Sequence, residues 1–379
     1  MTLILTFLGK GGTGRSTVAI AAAQKLTNEG KRVLLLSQEA GPALSMMLGA
    51  TVVAIPTAVG PANGLAGGFQ AVQLQTTTLL EENWEKLKQF EAQYLRDPFF
   101  KAVYGQELSV IPGMDDFLAL NAIREYTESN QYDVIVHDGA GDQSSLRLWG
   151  AIGGVDWYFR RFKQVFQSSQ FYKSISPFVA PITGAVFSSG LSGDIWNQPE
   201  AQSIEGMVAK GKALVRDPMQ LRAYVVTSDD DIAIATGQYL WSAAQQIGLT
   251  VAGAFVHAGP RPSLDAAEAT AAFDPLPTVS LPHTEAANDW QPVIDALPAL
   301  DQPVSVPSAI AMSVDIATST VKLFLPSFDK TQVKLTQYGP EVTVEAGDQR
   351  HNVSLPPALN GRKVTGAKFQ SGYLIISFG

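Results

Sequence analysis

The chain of 379 residues has no cysteine, and only 16% of its residues are charged. Without thiols there is no disulfide framework, thiolate zinc cluster, iron–sulfur site or cysteine nucleophile. Positive charge is in short supply, with 27 basic residues against 35 acidic ones and a formal net charge of −8. A general nucleic-acid binder carries a basic footprint, so no nucleic-acid partner is expected. Long hydrophobic runs are lacking as well. The apolar start, Met1–Leu8, reaches Gly9 without a basic flank and does not read as a signal peptide. Residues 174–193 are free of charge and about as long as a membrane span. They contain Pro177, Pro181, Gly184 and Gly190, which oppose a spanning helix. A cytoplasmic protein is the expectation.

What is present is a chain long enough for two or three domains, 46% hydrophobic. Its first 150 residues alternate strand and helix patterns. Thr2–Leu8, Arg32–Ser37 and Tyr132–Val136 are continuous apolar runs, as strands buried on both faces of a parallel sheet require. A helix pattern runs from Ser16 to about Glu29 and stops at Gly30, another covers Trp84–Tyr94, and the Pro/Gly-rich stretch Ile55–Gly68 reads as a loop. Ala223–Thr227 and Val251–Val256 continue the strand pattern beside further helices. Around Asp301–Ser313 the texture changes. Beyond it come short strand patterns separated by turn residues, with no helices, as in a small all-β sandwich. The expected organisation is an α/β domain over residues 1–300, with a mostly parallel sheet, helices on both faces and an apolar helical insertion at 151–215. A linker at 301–313 and a β-sandwich at 314–379 complete it.

The motif that carries chemistry is Gly9-Lys10-Gly11-Gly12-Thr13-Gly14-Arg15-Ser16, between the first strand and the first helix. This is the P-loop frame, with arginine where lysine is usual. Consecutive backbone N–H groups nest around a phosphate, and the helix start adds the positive end of its dipole. Glycines let the chain approach the phosphates, and Ser16 supplies a hydroxyl for Mg²⁺.

Lys10 in this frame resembles the deviant Walker A motif of the arsenite-pump ATPase and the ATPase of guided entry of tail-anchored proteins. Three more segments resemble that family in order. Ser37-Gln38-Glu39-Ala40-Gly41-Pro42-Ala43-Leu44-Ser45 stands in the place of its switch I, STDPAHNLS. Asp138-Gly139-Ala140-Gly141 with Leu146-Arg147-Leu148 resembles its switch II, and Ile111-Pro112-Gly113 its PG motif. The resemblance implies a P-loop fold that binds ATP or ADP with Mg²⁺ through Gly11, Gly12, Thr13, Gly14, Arg15, Ser16 and Thr17. Ser16 and Asp138 would serve the metal, and Glu39 and Asp138 would act in hydrolysis. Lys10 would reach the nucleotide of a partner subunit, which implies a homodimer because the chain has one such loop.

Departures from the pattern accompany the match. Arg15 is bulkier than lysine, though its planar fork also holds phosphate oxygens. Glu39 replaces an aspartate and stands one methylene further out. His257 occupies the usual place of an adenine-reading asparagine; either it bonds adenine, or stacking and backbone hold the base.

Between the second switch and Ala223 lies an aromatic-rich stretch. Tyr158, Phe162, Val165 and Phe166 share one helical face, followed by Phe171, Tyr172, Ile175, Phe178 and Val179. Either these residues pack as core, or they form the surface that in guided-entry relatives cradles hydrophobic protein segments. At the other end of the chain, Thr320–Pro326 (TVKLFLP), Arg350 before Val353-Ser354-Leu355-Pro356, and Ala367–Leu374 resemble the small heat-shock (α-crystallin) pattern. That domain either contacts clients in cis or only stabilises the fold. Because soft metalloids need thiolates, and the guided-entry dimer commonly uses CxxC pairs around zinc, neither arsenite binding nor zinc is expected. The leading expectation is a homodimeric, ATP-hydrolysing chaperone or targeting factor for hydrophobic clients, with a membrane-associated partner among its expected contacts. A nucleotide-binding scaffold with little hydrolysis, or a pump-associated anion-transporting ATPase, are the alternatives.

Overall fold

The structure, a computed structural model of the chain, describes residues 2–60, 68–82, 114–154, 199–259, 262–283, 289–304, 312–338, 341–347, 349–355, 357–359 and 361–379. The expected helix Trp84–Tyr94, Ile111-Pro112-Gly113 and the aromatic stretch Tyr158–Val179 lie outside the described residues.

Strand β1 (Leu3–Leu8) is buried along its whole length. Its side chains divide between two clusters with the period of two that a pleated strand dictates. Leu3, Leu5 and Phe7 pack on one face with Val18, Ile20 and Leu26 of helix α1 (Arg15–Asn28). Ile4 and Leu8 pack on the other with Ala119 and Ile123 of α3 (Met114–Glu128), Trp149 of the helical residues 143–154, and Trp241. Both faces are covered, which explains why an uninterrupted apolar run forms this strand.

Around β1 stands an eight-stranded sheet in the order β3-β4-β2-β5-β1-β6-β7-β8. The other strands are β2 (Val33–Ser37), β3 (Thr57–Val59), β4 (Phe69–Gln73), β5 (Val134–Asp138), β6 (Leu221–Ser228), β7 (Val251–His257) and β8 (Thr278–Leu281). All neighbours pair in parallel except β3, which runs antiparallel to β4 at the edge. Strand β3 falls within the stretch expected to be a loop. Three residues between Pro56 and Gly60 are too few to show alternation, and partner β4 supplies what their own sequence does not. Helix α2 (Ala43–Leu48) follows β2, and α4 (Pro199–Arg216) precedes β6. Helix α5 (Asp231–Ile247) joins β6 to β7, while α6 (Ala266–Ala271) and α7 (Gln291–Ala296) flank β8. In α5, Asp230 caps the first turn by accepting from the Ala233 amide, and Gly248 ends the helix in the left-handed region. Among the described residues no helix is long and apolar enough to cross a membrane.

The C-terminal region folds as two antiparallel sheets, β14-β15-β10-β9 and β11-β12-β13. Its strands are β9 (Met312–Asp315), β10 (Thr320–Phe324), β11 (Val333–Tyr338), β12 (Glu341–Ala346), β13 (Gln349–Ser354), β14 (Val364–Gln370) and β15 (Tyr373–Phe378). Val321, Leu323, Val342, Val344, Val353, Leu374 and Ile376 meet in a shared core, so the sheets form the expected sandwich. Strand β9 begins at Met312, one residue before the expected end of the linker, and pairs with β10.

This sandwich is docked on α5. Phe324 of β10 packs into the α/β core, its ring edge-on to Trp241 at 5.3 Å between centroids. Polar bonds close the seam: Ser327 N and Oγ reach the Ser242 hydroxyl at 3.0 and 2.8 Å, Gln246 Nε2 donates to Ala346 O at 3.1 Å, and the His351 ring bonds Gln246 O. Gln143 Nε2 donates to the Tyr239 hydroxyl at 2.5 Å, and Gln349 Nε2 donates to Gln143 Oε1 at 2.7 Å. Replacing Phe324 by alanine leaves a cavity at this junction, for which large-to-small core substitutions typically cost about 3–5 kcal/mol. Urea unfolding of Phe324→Ala, followed by tryptophan fluorescence and circular dichroism, is expected to begin earlier and to separate into two transitions. A single transition at the wild-type midpoint would show that the two parts fold independently of this contact.

Candidate functional site

The C-terminal ends of β1, β2, β5, β6 and β7 converge on one rim of the parallel sheet, where ligands of open α/β folds sit. The phosphate loop occupies its centre. Thr13, 3% exposed, is turned inward, its hydroxyl shared between the carbonyls of Lys10 at 2.8 Å and Val226 at 2.9 Å. It therefore pins the loop. Gly12 and Gly14 are left-handed, with φ of 85° and 87°, and Gly14 is the N-cap of α1. That N-terminus has no side-chain cap and no acidic residue in its first turn, so its N–H groups are left for an anion. At Gly11 and Gly12 an added Cβ would meet nothing within 4 Å. An exposed, side-chain-free cradle in front of an uncapped helix of 14 residues fits the phosphates of a nucleotide.

Beside it the second switch segment leaves β5. The Arg15 guanidinium donates through Nη1 to Gly139 O at 3.1 Å and also to Ala140 O. Gly141 sits so close that an added Cβ would collide with the guanidinium, and its φ of 69° is itself left-handed. Its carbonyl accepts from the Gly9 amide at 2.8 Å, tying this segment to the phosphate loop. Burial pushes Arg15 below its ordinary value, while Asp138, Asp142 and Glu39 pull it back up. In this arrangement the arginine of the lysine slot holds the second switch segment.

Asp138, 6% exposed, ends β5. Burial raises its carboxyl to about 6, against the lowering effects of a hydrogen bond with Ser16 and the charge of Arg15. A hydroxyl and a carboxylate placed together beside a phosphate cradle are a hard-oxygen donor pair of the kind Mg²⁺ takes, with phosphates and water completing its shell. Among the described residues no cluster of three or more His, Cys, Asp or Glu could hold a metal by itself.

Glu39 lies on the exposed rim after β2. Its backbone is gripped by Gln73, whose Nε2 donates to Glu39 O at 2.5 Å and Gly41 O at 2.6 Å. Lys10 is exposed on the loop. Near it stands Asp230, whose carboxyl is held below the usual carboxylate range by the Ser228 hydroxyl and, less strongly, by Lys10. His257 ends β7 with its ring against the phosphate loop: a Cβ on Gly14 would lie 2.8 Å from its Nε2, which is buried and has no hydrogen-bond partner. Ser16 and Thr17 open α1, half-buried.

The structure thus gathers Gly11, Gly12, Thr13, Gly14, Arg15, Ser16, Asp138, Glu39 and His257 around one rim. Sequence reasoning assigned no separate role to Gln38, Gln73 and His137: Gln73 holds the carbonyls of Glu39 and Gly41, and the His137 ring bonds the side chains of Thr6 and Gln38. The one sequence signal was a polar residue, His137, inside the apolar run of β5.

A family model described as "Anion-transporting ATPase" matches residues 2–252, and one described as "HSP20-like domain found in ArsA" matches residues 317–378. A protein of Prosthecochloris vibrioformis named as an arsenical pump-driving ATPase is 29% identical over 162 residues, which cover 43% of this chain and 38% of that protein. An "ATPase ASNA1 homolog 1" of Paramecium tetraurelia is 26% identical over 141 residues, 37% of this chain and 40% of that protein. The match to the first of these thus spans 38% of its length. An uncharacterized protein of Streptomyces coelicolor aligns with 100% of this chain and 97% of its own length, at 26% identity.

The buried carboxyl gives a test with a defined sign. With its folded value raised to about 6, Asp138 binds a proton in the folded state that the unfolded state releases, so stability falls as pH rises from about 4 to about 6. In the nucleotide-free protein, Asp138→Asn is expected to be more stable than wild type above pH 6, by up to about 3 kcal/mol. That gain should vanish as pH falls towards 4, in urea unfolding curves of the two proteins. An Asp138→Asn protein less stable than wild type at pH 7.5 would contradict it.

Proposed function

The chain belongs to the anion-transporting ATPase family, and from that premise we propose that it is a homodimeric ATPase that hydrolyses ATP to ADP and phosphate and couples the cycle to hydrophobic clients. The observation that carries this reading is the open cradle at Gly11 and Gly12, with Ser16 and Asp138 paired at its side and Glu39 on the rim.

Loop amides and the start of α1 hold the phosphates. Ser16 and Asp138 are the residues that would hold Mg²⁺, which would supply charge neutralisation at the phosphate oxygens. The Glu39 carboxylate orients a water, whose oxygen bonds to the γ-phosphorus as the bond to the bridging oxygen of ADP breaks, its proton passing to the released phosphate. Phosphates in the cradle compete with Gly139 O and Ala140 O for Arg15, so nucleotide occupancy is read by the second switch segment. Exposure of Lys10 supports its use by a partner subunit. Met46 and Ile55, 77% and 63% exposed along the stretch that follows Glu39, support an apolar contact between subunits near the site. Magnesium, the deviant Walker A role of Lys10 and a cytoplasmic location belong to this proposal, as do clients bound at the 151–215 segment. Metalloid pumping is disfavoured, because this chain offers no thiolate for a soft metalloid.

Wild type, Lys10→Ala and Glu39→Gln are to be compared for ATP binding, turnover and ATP-dependent sedimentation. Each variant is expected to keep ATP binding and to lose roughly 10²-fold in turnover, as misplacement at a reacting centre does; Lys10→Ala should also lose ATP-dependent dimerisation. Wild-type protein that binds ATP without turnover above background would overturn hydrolysis and leave the scaffold reading. Failure to bind an apolar peptide in any nucleotide state would overturn the client role.

A further inference from the structure

We propose that His137 is a positioning residue for the hydrolysis assigned above: its ring fastens the loop that carries Glu39 to the strand that carries the phosphate loop. The inference rests on the ATPase reading and concerns how that site is held in register.

His137 is 0% exposed, on β5 directly before Asp138. The residues before it, Val134, Ile135 and Val136, are apolar and buried, and another apolar side chain would fill the slot without any need for hydrogen bonds. The imidazole instead has both nitrogens engaged. Nδ1 lies 2.9 Å from Thr6 Oγ1 on β1, and Nε2 lies 2.8 Å from Gln38 Oε1. An amide oxygen only accepts, so Nε2 carries the proton and Nδ1 accepts from the Thr6 hydroxyl.

The ring cannot turn away. Trp149 stands edge-on to it at 5.4 Å between centroids, and an added Cβ on Gly139 would lie 2.6 Å from its Cε1 and 3.0 Å from Gln38 Oε1. One imidazole therefore touches three segments that face the phosphates. Thr6 stands three residues before Gly9, Asp138 follows His137, and Gln38 precedes Glu39. The loop is gripped on both sides, because Gln38 N also donates to Asp138 O at 3.2 Å while Gln73 holds the carbonyls of Glu39 and Gly41. Removing the Gln38 side-chain anchor leaves the carboxylate present but displaced, and displacements of about an ångström cost up to about 10²-fold in rate.

The test uses the full chain with His137→Phe, Gln38→Leu, their double variant and His137→Gln. ATP half-saturation is expected to stay within about 3-fold of wild type, while kcat falls at least about 10-fold in both single variants. The double variant should be no worse than the poorer single one, since both break one bond. His137→Gln, which keeps an amide donor, should recover most of the loss. A second readout needs no turnover: amide exchange over residues 37–41 should rise in His137→Phe and Gln38→Leu while exchange over β1 stays unchanged. If wild type binds ATP without hydrolysing it, the hydrolysis reading fails and the exchange result alone decides the role of His137. Should His137→Phe not fold, Gln38→Leu carries both readouts. Unchanged exchange over 37–41 would overturn the proposal, as would additive losses in the double variant or a raised KM with kcat intact.

Discussion

The rim works only because β1 is packed from both faces, by α1 on one side and by α3, residues 143–154 and α5 on the other. Such a strand has no free direction in which to shift, since any displacement opens a void on one side and a clash on the other. The phosphate loop inherits that rigidity through Gly9, whose amide is fixed to Gly141, and through Thr13, whose hydroxyl is fixed to the carbonyl at the end of β6. Anion binding by backbone amides depends on those dipoles being pointed in advance, because a loop that had to organise itself around phosphate would give up the gain in lost entropy.

Against this fixed centre the two switch segments are held by bonds of different kinds. The segment after β2 is held by neutral amide and imidazole groups from Gln73 and His137. The segment after β5 is held by a charged one, the Arg15 fork on two carbonyls. A charge-assisted bond is the stronger when undisturbed, and it is also the one a polyanion most readily competes for. The same site keeps the Asp138 carboxyl buried, where desolvation raises it to about 6.

How much of this was legible in the sequence depended on the range of the interaction. The glycine loop after β1 and the segments that leave β2 and β5 are local: spacing, glycines and the strand before them are visible in a dozen residues. The sandwich was legible because Val321, Leu323, Leu374 and Ile376 alternate with outward residues, and alternation survives in a single strand. The edge strand β3 was not, since three residues make no period. Neither was the grip of Arg15 on Gly139 and Ala140, which joins positions more than 120 apart in the chain. The sequence placed arginine in the lysine slot but carried no sign of which partner it bonds. Gln73 was missed for the same reason: it is an unremarkable polar residue at a strand end until pairing brings the loop after β2 beside it, and the polar His137 in the apolar run of β5 was a signal without a visible partner.

The seam between the α/β domain and the sandwich bears on how such a chain could be divided. The sequence has an obvious cut near residue 301, where helices stop and proline and serine gather. In the packing there is no such cut. Phe324 belongs to the core of the first domain, the Ser242 hydroxyl and the Gln246 carbonyl find partners in the second, and Gln143, in the helical residues that follow Gly141, bonds both Tyr239 and Gln349. Excising the last 70 or so residues would expose the indole of Trp241 to water and strip the polar groups along α5 of their bonds. The β-sandwich is thus a wall of the α/β body, and without it the same helix would need another covering.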